Sequence, residues 1–254
     1  MVIAIIQARL GSTRLPGKVL KKILGKPMLE RMIERLKRSK TIDKIVIATT
    51  DNPEDKKVAD LAKKIGIDYY QGSENDVLDR YYRAAKKFKT GDIIVRLTGD
   101  CPLMDSRVVD QVVNFYKKNK KKFDYVSNVR PPTFPDGMDM EVFSFESLER
   151  AWQNAELQSE REHVTAYIYK HPEIFRIGNL HYKKDFSNLR LTVDNKEDLM
   201  LVRKIFQILY KKNNNFTLED ILELSENQPA IFLINRHIQR NEGYFKSLEK
   251  EKKH

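Results

Sequence analysis

The stretch VIAIIQARLGSTRLPGK, Val2 to Lys18, decides the fold. Val2, Ile3, Ile5 and Ile6 make an apolar, β-branched run, the form taken by a buried strand of a parallel sheet. The run stops at Gln7–Arg9 and enters a loop with Gly11, Ser12, Thr13, Pro16 and Gly17, in which three cations stand, Arg9, Arg14 and Lys18. In open α/β sheets, ligands bind at the loops that leave the carboxyl ends of the strands. Gly11 allows close backbone approach, the hydroxyls donate, and the cations together neutralise several negative charges, so the loop suits a polyphosphate. The same residues also fit an ordinary strand-to-loop junction with solvated basic groups. Neither a Walker A sequence nor GxGxxG is present.

The chain beyond this loop has the regular spacing of a βαβαβ run. Apolar residues at helical spacing predict a helix over Pro27–Arg38, KIVIATT (44–50) a second buried strand, and the next segment a helix from Pro53 to Ile65 that Gly66 ends. A short third strand falls at Asp68–Gln71 and a helix at Asp76–Lys89, with Ser73 and Asp76 as capping residues and Arg80 spaced at i,i+4 from Asp76 for a helix-surface ion pair. Asp92–Leu97 is a fourth strand, and it runs into LTGDCPL (97–103). This is the architecture of a mostly parallel sheet with right-handed crossovers. Asp100, at the end of a central strand, is placed either to hold a hard cation or to cap the helix from Ser106.

Beyond that point the pattern is mixed. Asp124–Asn128 reads as a fifth strand, Arg130–Asp139 as an irregular Pro- and Gly-rich loop, and Asp139–Phe145 as a half-buried strand by its alternation. Asp139 and Glu141 at that junction suit either sugar hydroxyls or a surface hairpin. A helix at Glu146–Glu156 is followed by SEREHVT (159–165), where Ser159 and Glu162 have capping-box spacing and a helix reaches Tyr169. Arg161 and His163 sit near the start of that helix, where an anion is welcome. Ile174–Tyr182 is expected to be a strand opposite Leu189–Val193, and Asp194 stands before a helix over Lys196–Tyr210, where it is placed to cap that helix. Asn213–Asn215 reads as a linker, Leu218–Ser225 as a short helix, and Lys246–His254 as a basic tail.

The bulk numbers narrow the class. With 254 residues, 41% hydrophobic and 33% charged, the chain is long enough for one large α/β domain with a small extension. No apolar run approaches the ~20 residues that span a bilayer, and Val2–Ile6 lacks the flanks of a signal peptide, so the expectation is a cytoplasmic protein without membrane insertion. The single cysteine, Cys101, leaves no internal disulfide and no cysteine-based zinc cage. A net charge of +11 raises the question of nucleic acid. Much of that excess lies in lysine-rich surfaces such as Lys117–Lys122 and in the tail, without a reading motif, so no nucleic-acid partner is expected and an anionic substrate is.

Taken in order, QARLGSTRLPGK, LTGDCPL, PDGMDMEVFSFE, SEREHVT and LTVDNKEDL resemble the cytidylyltransferase-type family of the spore-coat polysaccharide biosynthesis protein SpsF, which is similar to the CMP-Kdo and CMP-acylneuraminate synthetases. The resemblance implies a Rossmann-like nucleotidyltransferase fold, a GT-A-like three-layer sandwich with a small antiparallel insertion. It implies a domain over residues 1–212, an insertion at about 130–185 for sugar binding and homodimer contact, and a helical extension over 213–254. It implies CMP transfer from CTP to a small sugar with release of pyrophosphate. Arg9, Lys18 and Asp100 would then be catalytic; Ala8, Leu10, Gly11, Ser12, Arg14, Ser73, Asp76 and Arg80 would bind the nucleotide. Asp139, Glu141, Glu160, Arg161 and His163 would bind the sugar, and Asp100 with Asp194 would hold Mg²⁺. Leu10-Gly11-Ser12-Thr13 departs from the Gly-Gly-Ser-Lys usual in the acylneuraminate enzymes. Use of another nucleotide, a GT-A-like glycosyltransferase and a non-catalytic basic nucleic-acid-binding protein are the alternatives.

Overall fold

In the first strand, β1 (Val2–Gln7), Ala4 and Ile6 pack on one face of the sheet, Ile3 and Ile5 on the other, and all four are sealed from solvent. A strand with two apolar faces needs a layer on each side. The computed structural model describes residues 1–88, 93–240 and 242, and it has both layers. Besides β1, the chain forms β2 (Lys22–Ile23), β3 (Lys26–Pro27), β4 (Lys44–Thr50), β5 (Asp68–Gly72), β6 (Ile93–Thr98), β7 (Tyr125–Ser127), β8 (Glu141–Ser144) and β9 (Ile177–Asn179). The main sheet has seven strands in the order β5-β4-β1-β6-β8-β7-β9, and β2 with β3 makes a separate antiparallel hairpin. The strands from β5 to β6 pair in parallel. Among the described strands of this sheet only β8 is reversed: it is antiparallel to β6 and β7, while β9 is parallel to β7.

On one face lie α1 (Met28–Leu36), α2 (Lys56–Lys64), α4 (Ser106–Asn119), α8 (Lys196–Lys212) and α9 (Leu218–Asn227). On the other lie α3 (Val77–Lys87), α5 (Phe145–Asn154) and the short α6 (Gln158–Glu162) and α7 (Ala166–Lys170). The result is a three-layer α/β sandwich. Residues beyond Asn215 share the α8 core through Phe216, Leu218, Ile221 and, from α10 (Pro229–Phe232), Ile231 and Phe232. Two contacts fix the edge of the sheet where β1 and β6 end. Tyr81 Oη on α3 lies 3.1 Å from the Ile5 carbonyl and 2.9 Å from that of Leu97. A Cβ on Gly99 would stand 3.0 Å from Ala8 Cβ and from the Gln7 carbonyl, so the close approach of the two loops favours glycine there.

Three local expectations are corrected. Leu189–Val193 does not pair with the 174–182 segment; β9 joins β7 instead, and Arg190 makes only an isolated bridge to Asp136. The reason is in the side chain, because Arg190 is drawn into a buried carboxylate network. The helix expected to reach Tyr169 breaks between α6 and α7. Val164 is fully buried with φ 58°, and the Thr165 N–H donates to the His163 carbonyl at 2.5 Å, a turn that core packing imposes against helix propensity. Ser159 does not close a capping box with Glu162, since Leu157 occupies the cap and Ser159 is buried inside the helix. Lys89, Asp92 and the tail Lys246–His254 lie outside the described residues.

Candidate active site

The loop after β1 is held by partners far away in sequence. Asp55, buried in the turn after β4, accepts the Leu10 N–H at 2.6 Å and the Thr50 hydroxyl. The Leu10 carbonyl in turn accepts the N–H groups of Ser12 (2.7 Å) and Gly17 (3.0 Å), which curls the chain tightly. Gly17, at φ 65°, makes the left-handed turn that ends the loop. Arg9 is steadied by Glu74 at 2.7 Å, and Glu74 also accepts from Asn52 Nδ2 at 2.5 Å. Ala8, Arg9, Gly11, Ser12, Arg14 and Lys18 line a cavity of about 720 Å³ at the carboxyl ends of β1 and β6.

At the base of that cavity the Lys18 Nζ donates to Asp100 Oδ2 and Asp194 Oδ1, each at 2.8 Å, and to the Val193 carbonyl at 2.9 Å. One ammonium thus bridges two carboxylates that are far apart in the sequence. Burial works against the charged amine, but Asp100 and Asp194 outweigh it and raise the Lys18 pKa. Burial likewise opposes ionisation of Asp194, yet Lys18, Arg14 and Arg190 together hold its pKa down at about 2. Arg14 Nη2 lies 2.8 Å from Asp194, and Arg190 Nη2 donates to its other oxygen at 2.8 Å. Behind them, Asp198 accepts the N–H groups of Asp194 and Asn195, both at 2.9 Å, and Arg190 Nε at 3.0 Å. That capping arrangement on α8 fixes the orientation of Asp194. Among the described residues, no group of three His, Cys, Asp or Glu stands at metal-ligand spacing.

The other end of the cavity is built by β8 and the segments around it. Asp136 pairs with Arg190 at 2.7 Å and Asp139 with Arg240 at 2.6 Å. Burial raises the Asp139 pKa to about 7 against the pull of Arg240, and raises that of Asp136 against Arg240 and Arg190. Between these aspartates Gly137 stands at φ 102°, and a Cβ there would fall 2.6 Å from the Leu191–Thr192 backbone, so only glycine lets the loop press on the strap below. Glu141 pairs with Arg96 and accepts from the hydroxyls of Tyr125 and Thr165, the latter at 2.6 Å. Burial opposes its ionisation, and Arg96 with those hydroxyls overcomes it and lowers its pKa. His163 lies on the same wall, and burial lowers its pKa.

The predicted residues therefore divide. Ala8, Arg9, Gly11, Ser12, Arg14, Lys18, Arg80, Asp100, Asp139, Glu141, His163 and Asp194 all line the cavity. Leu10, Ser73, Asp76, Glu160 and Arg161 are not among its lining residues. Asp76 caps α3 by accepting the Asp79 N–H at 2.8 Å and pairs with Arg161 at 2.5 Å, while Glu160 stands 3.7 Å from Lys170. Arg80 is not the surface partner of Asp76: it is 2% exposed and donates to the Ser73 carbonyl at 2.6 Å. Arg96, Arg130, Asp136 and Arg190 also line the cavity, although their spacing in the sequence does not single them out. Only the PDGMD motif points at one of them, Asp136.

An edge at the carboxyl ends of parallel strands that sets the cations of the first loop against aspartates suits an anionic ligand such as a nucleotide. Comparison with known proteins narrows the class. A family model described as Cytidylyltransferase matches residues 3–238, and the chain belongs to that family. It is 33% identical to the spore coat polysaccharide biosynthesis protein SpsF of Bacillus subtilis, over 90% of this chain and 96% of that protein. The solved structure of a cytidylyltransferase from Leptospira borgpetersenii superposes with a TM-score of 0.88 at 38% identity, covering 94% of this chain and 99% of that one. A CMP:2-keto-3-deoxy-manno-octonic acid synthetase solved in complex with CTP shares the fold, with a TM-score of 0.61 at 19% identity over 81% of this chain and 98% of that one.

Proposed function

We propose that the protein transfers CMP from CTP to a small sugar, releasing pyrophosphate, and so supplies an activated sugar for surface polysaccharide. The observation that carries this is the Lys18 ammonium bridging Asp100 and Asp194 at the foot of the Gly11–Arg14 loop. The acceptor hydroxyl oxygen forms a bond to the α-phosphorus as the bond from phosphorus to the bridging oxygen of the β-phosphate breaks. Arg9, Arg14 and Lys18 neutralise the triphosphate and the departing pyrophosphate. Asp139, with its pKa near neutrality, takes up the acceptor's proton.

Two carboxylates close enough to share one ammonium form a hard-oxygen donor set that fits Mg²⁺, which is commonly held by one or two carboxylates and substrate phosphates. Asp100 and Asp194 would hold it, and it would offset charge on the phosphate oxygens. The reading includes a homodimer joined through the 130–185 segment, which sedimentation of the purified protein would test.

The deciding experiment is pyrophosphate release with Mg²⁺, each of the four nucleoside triphosphates, and a panel of acidic and neutral sugars. Release with CTP and one sugar class is expected. Release with another nucleotide in preference to CTP would overturn the choice of base, and failure to bind any nucleotide would overturn the whole reading.

A further inference from the structure

Three residues from the far end of the chain reach the site. Asn235 is 1% exposed and donates from Nδ2 to Asp198 Oδ1 at 2.8 Å and to the Arg190 carbonyl at 3.1 Å. Arg240 pairs with Asp139 at 2.6 Å and donates to the Phe134 carbonyl at 3.3 Å. Glu242 lines the cavity and accepts from Arg14 Nη1 at 2.5 Å.

These contacts are of two kinds. The Asn235 bonds are buried and lie behind the site, so they anchor the segment whether or not a substrate is present. The two ion pairs are partly solvated, with the side chains of Arg14 and Glu242 28% and 36% exposed. Partly solvated pairs of this sort are weak and exchangeable. They also engage the very groups that a nucleotide and its acceptor require, a cation of the phosphate loop and a carboxylate of the opposite wall. A triphosphate brings several negative charges to Arg14 where Glu242 brings one.

We propose that the segment carrying Arg240 and Glu242 is a strap anchored at Asn235 that fills the site in place of substrate, with Glu242 standing in for a phosphate on Arg14, and that nucleotide binding displaces it. The inference rests on the nucleotide reading of the site. Because the strapped form must open first, the apparent affinity for a triphosphate is reduced by the fraction of open molecules.

The test is calorimetric titration of CTP, and separately of inorganic tripolyphosphate, into the full chain and into its Glu242→Gln and Arg240→Gln variants at low salt. Glu242→Gln is expected to tighten both ligands by about two- to fivefold, and Arg240→Gln to tighten them by about twofold. In the unaltered protein, amide exchange over residues 236–240 is expected to quicken when CTP binds. If the unaltered protein binds CTP but neither variant binds it more tightly, the strap is refuted and the nucleotide reading stands. Exchange over 236–240 that does not quicken refutes it equally. If the unaltered protein binds neither polyanion, the nucleotide reading fails and the strap with it.

Discussion

Across β5, β4, β1 and β6 every strand runs the same way, and the groups that line the cavity leave from carboxyl ends: Arg9 to Lys18 after β1, Asp100 after β6. Across β8, β7 and β9 one strand is reversed, and the cavity is met by the segment that enters β8, where Asp136, Asp139 and Glu141 stand in succession. The parallel half repeats one device, a strand feeding a loop. The mixed half reaches the same edge from the opposite direction. A reversed strand lets an acidic entry segment face a basic exit loop across one cavity, an arrangement that parallel crossovers alone do not provide. Charge is sorted only in part: the first loop supplies Arg9, Arg14 and Lys18, while Arg80, Arg96, Arg130 and Arg190 bring cations from other elements and Asp100, the segment entering β8 and Asp194 bring the carboxylates.

Four substitutions would break or sharpen this contrast. On the parallel side, Asp100→Ala is expected to lower turnover by about a thousandfold while the thermal midpoint stays near that of the parent. Steady-state pyrophosphate release beside a melting curve checks both, and comparable activity with unchanged metal dependence would remove Asp100 from its role. On the mixed side, Glu141→Gln acts on the fold itself, because it leaves Arg96 buried against a neutral amide; a loss of about 3–5 kcal/mol in urea unfolding is expected.

The third variant tests the acceptor wall. As the proposed base, Asp139 acts only when ionised, and its pKa is raised to about 7 in the unliganded protein, so kcat/KM should rise with pH through about 7 and level off above it. Asp139→Asn should flatten that rise and lower kcat roughly tenfold to a hundredfold with CTP affinity held; a profile that keeps its shape would take the proton elsewhere. The smallest effect is expected from Asp76→Ala, which removes the cap of α3 and the Arg161 pair. It should cost about 1–2 kcal/mol of stability without changing the affinity for CTP. A specific loss of nucleotide binding would instead bring Asp76 back into the site.

How much of this was legible depends on the range of the interaction. The strands at 2–7, 44–50 and 68–72 and the helices between them were readable, because periodicity is a local property and both faces of the parallel half are apolar. Asp100 is legible as a carboxylate that ends a strand before a helix, whereas its pairing with Asp194 rests on the resemblance of LTGDCPL and LTVDNKEDL to the family's motifs. The distant partners were not legible: Asp55 under Leu10, Glu74 on Arg9, and Asn235 behind Asp198 are brought in by topology. Arg190 misled for a related reason. LRLTV has the composition of a strand, but its arginine gains three carboxylates by leaving the sheet. Arg80 reads as a surface residue from its spacing to Asp76, and only the packing of α3 shows it buried.

The join between Arg14 and Glu242 spans 228 positions of the chain. Contacts of such separation form late, after the sheet that brings them together. A nascent chain stopped short of Asn235 would carry the sheet but lack the support behind Asp194. The support that Asn235 gives behind Asp194 is therefore expected to form after the sheet, and in a refolding experiment that follows the proposed reaction the recovery of turnover should trail the recovery of helical circular dichroism. Coincident recovery would show that the ends of the chain meet early.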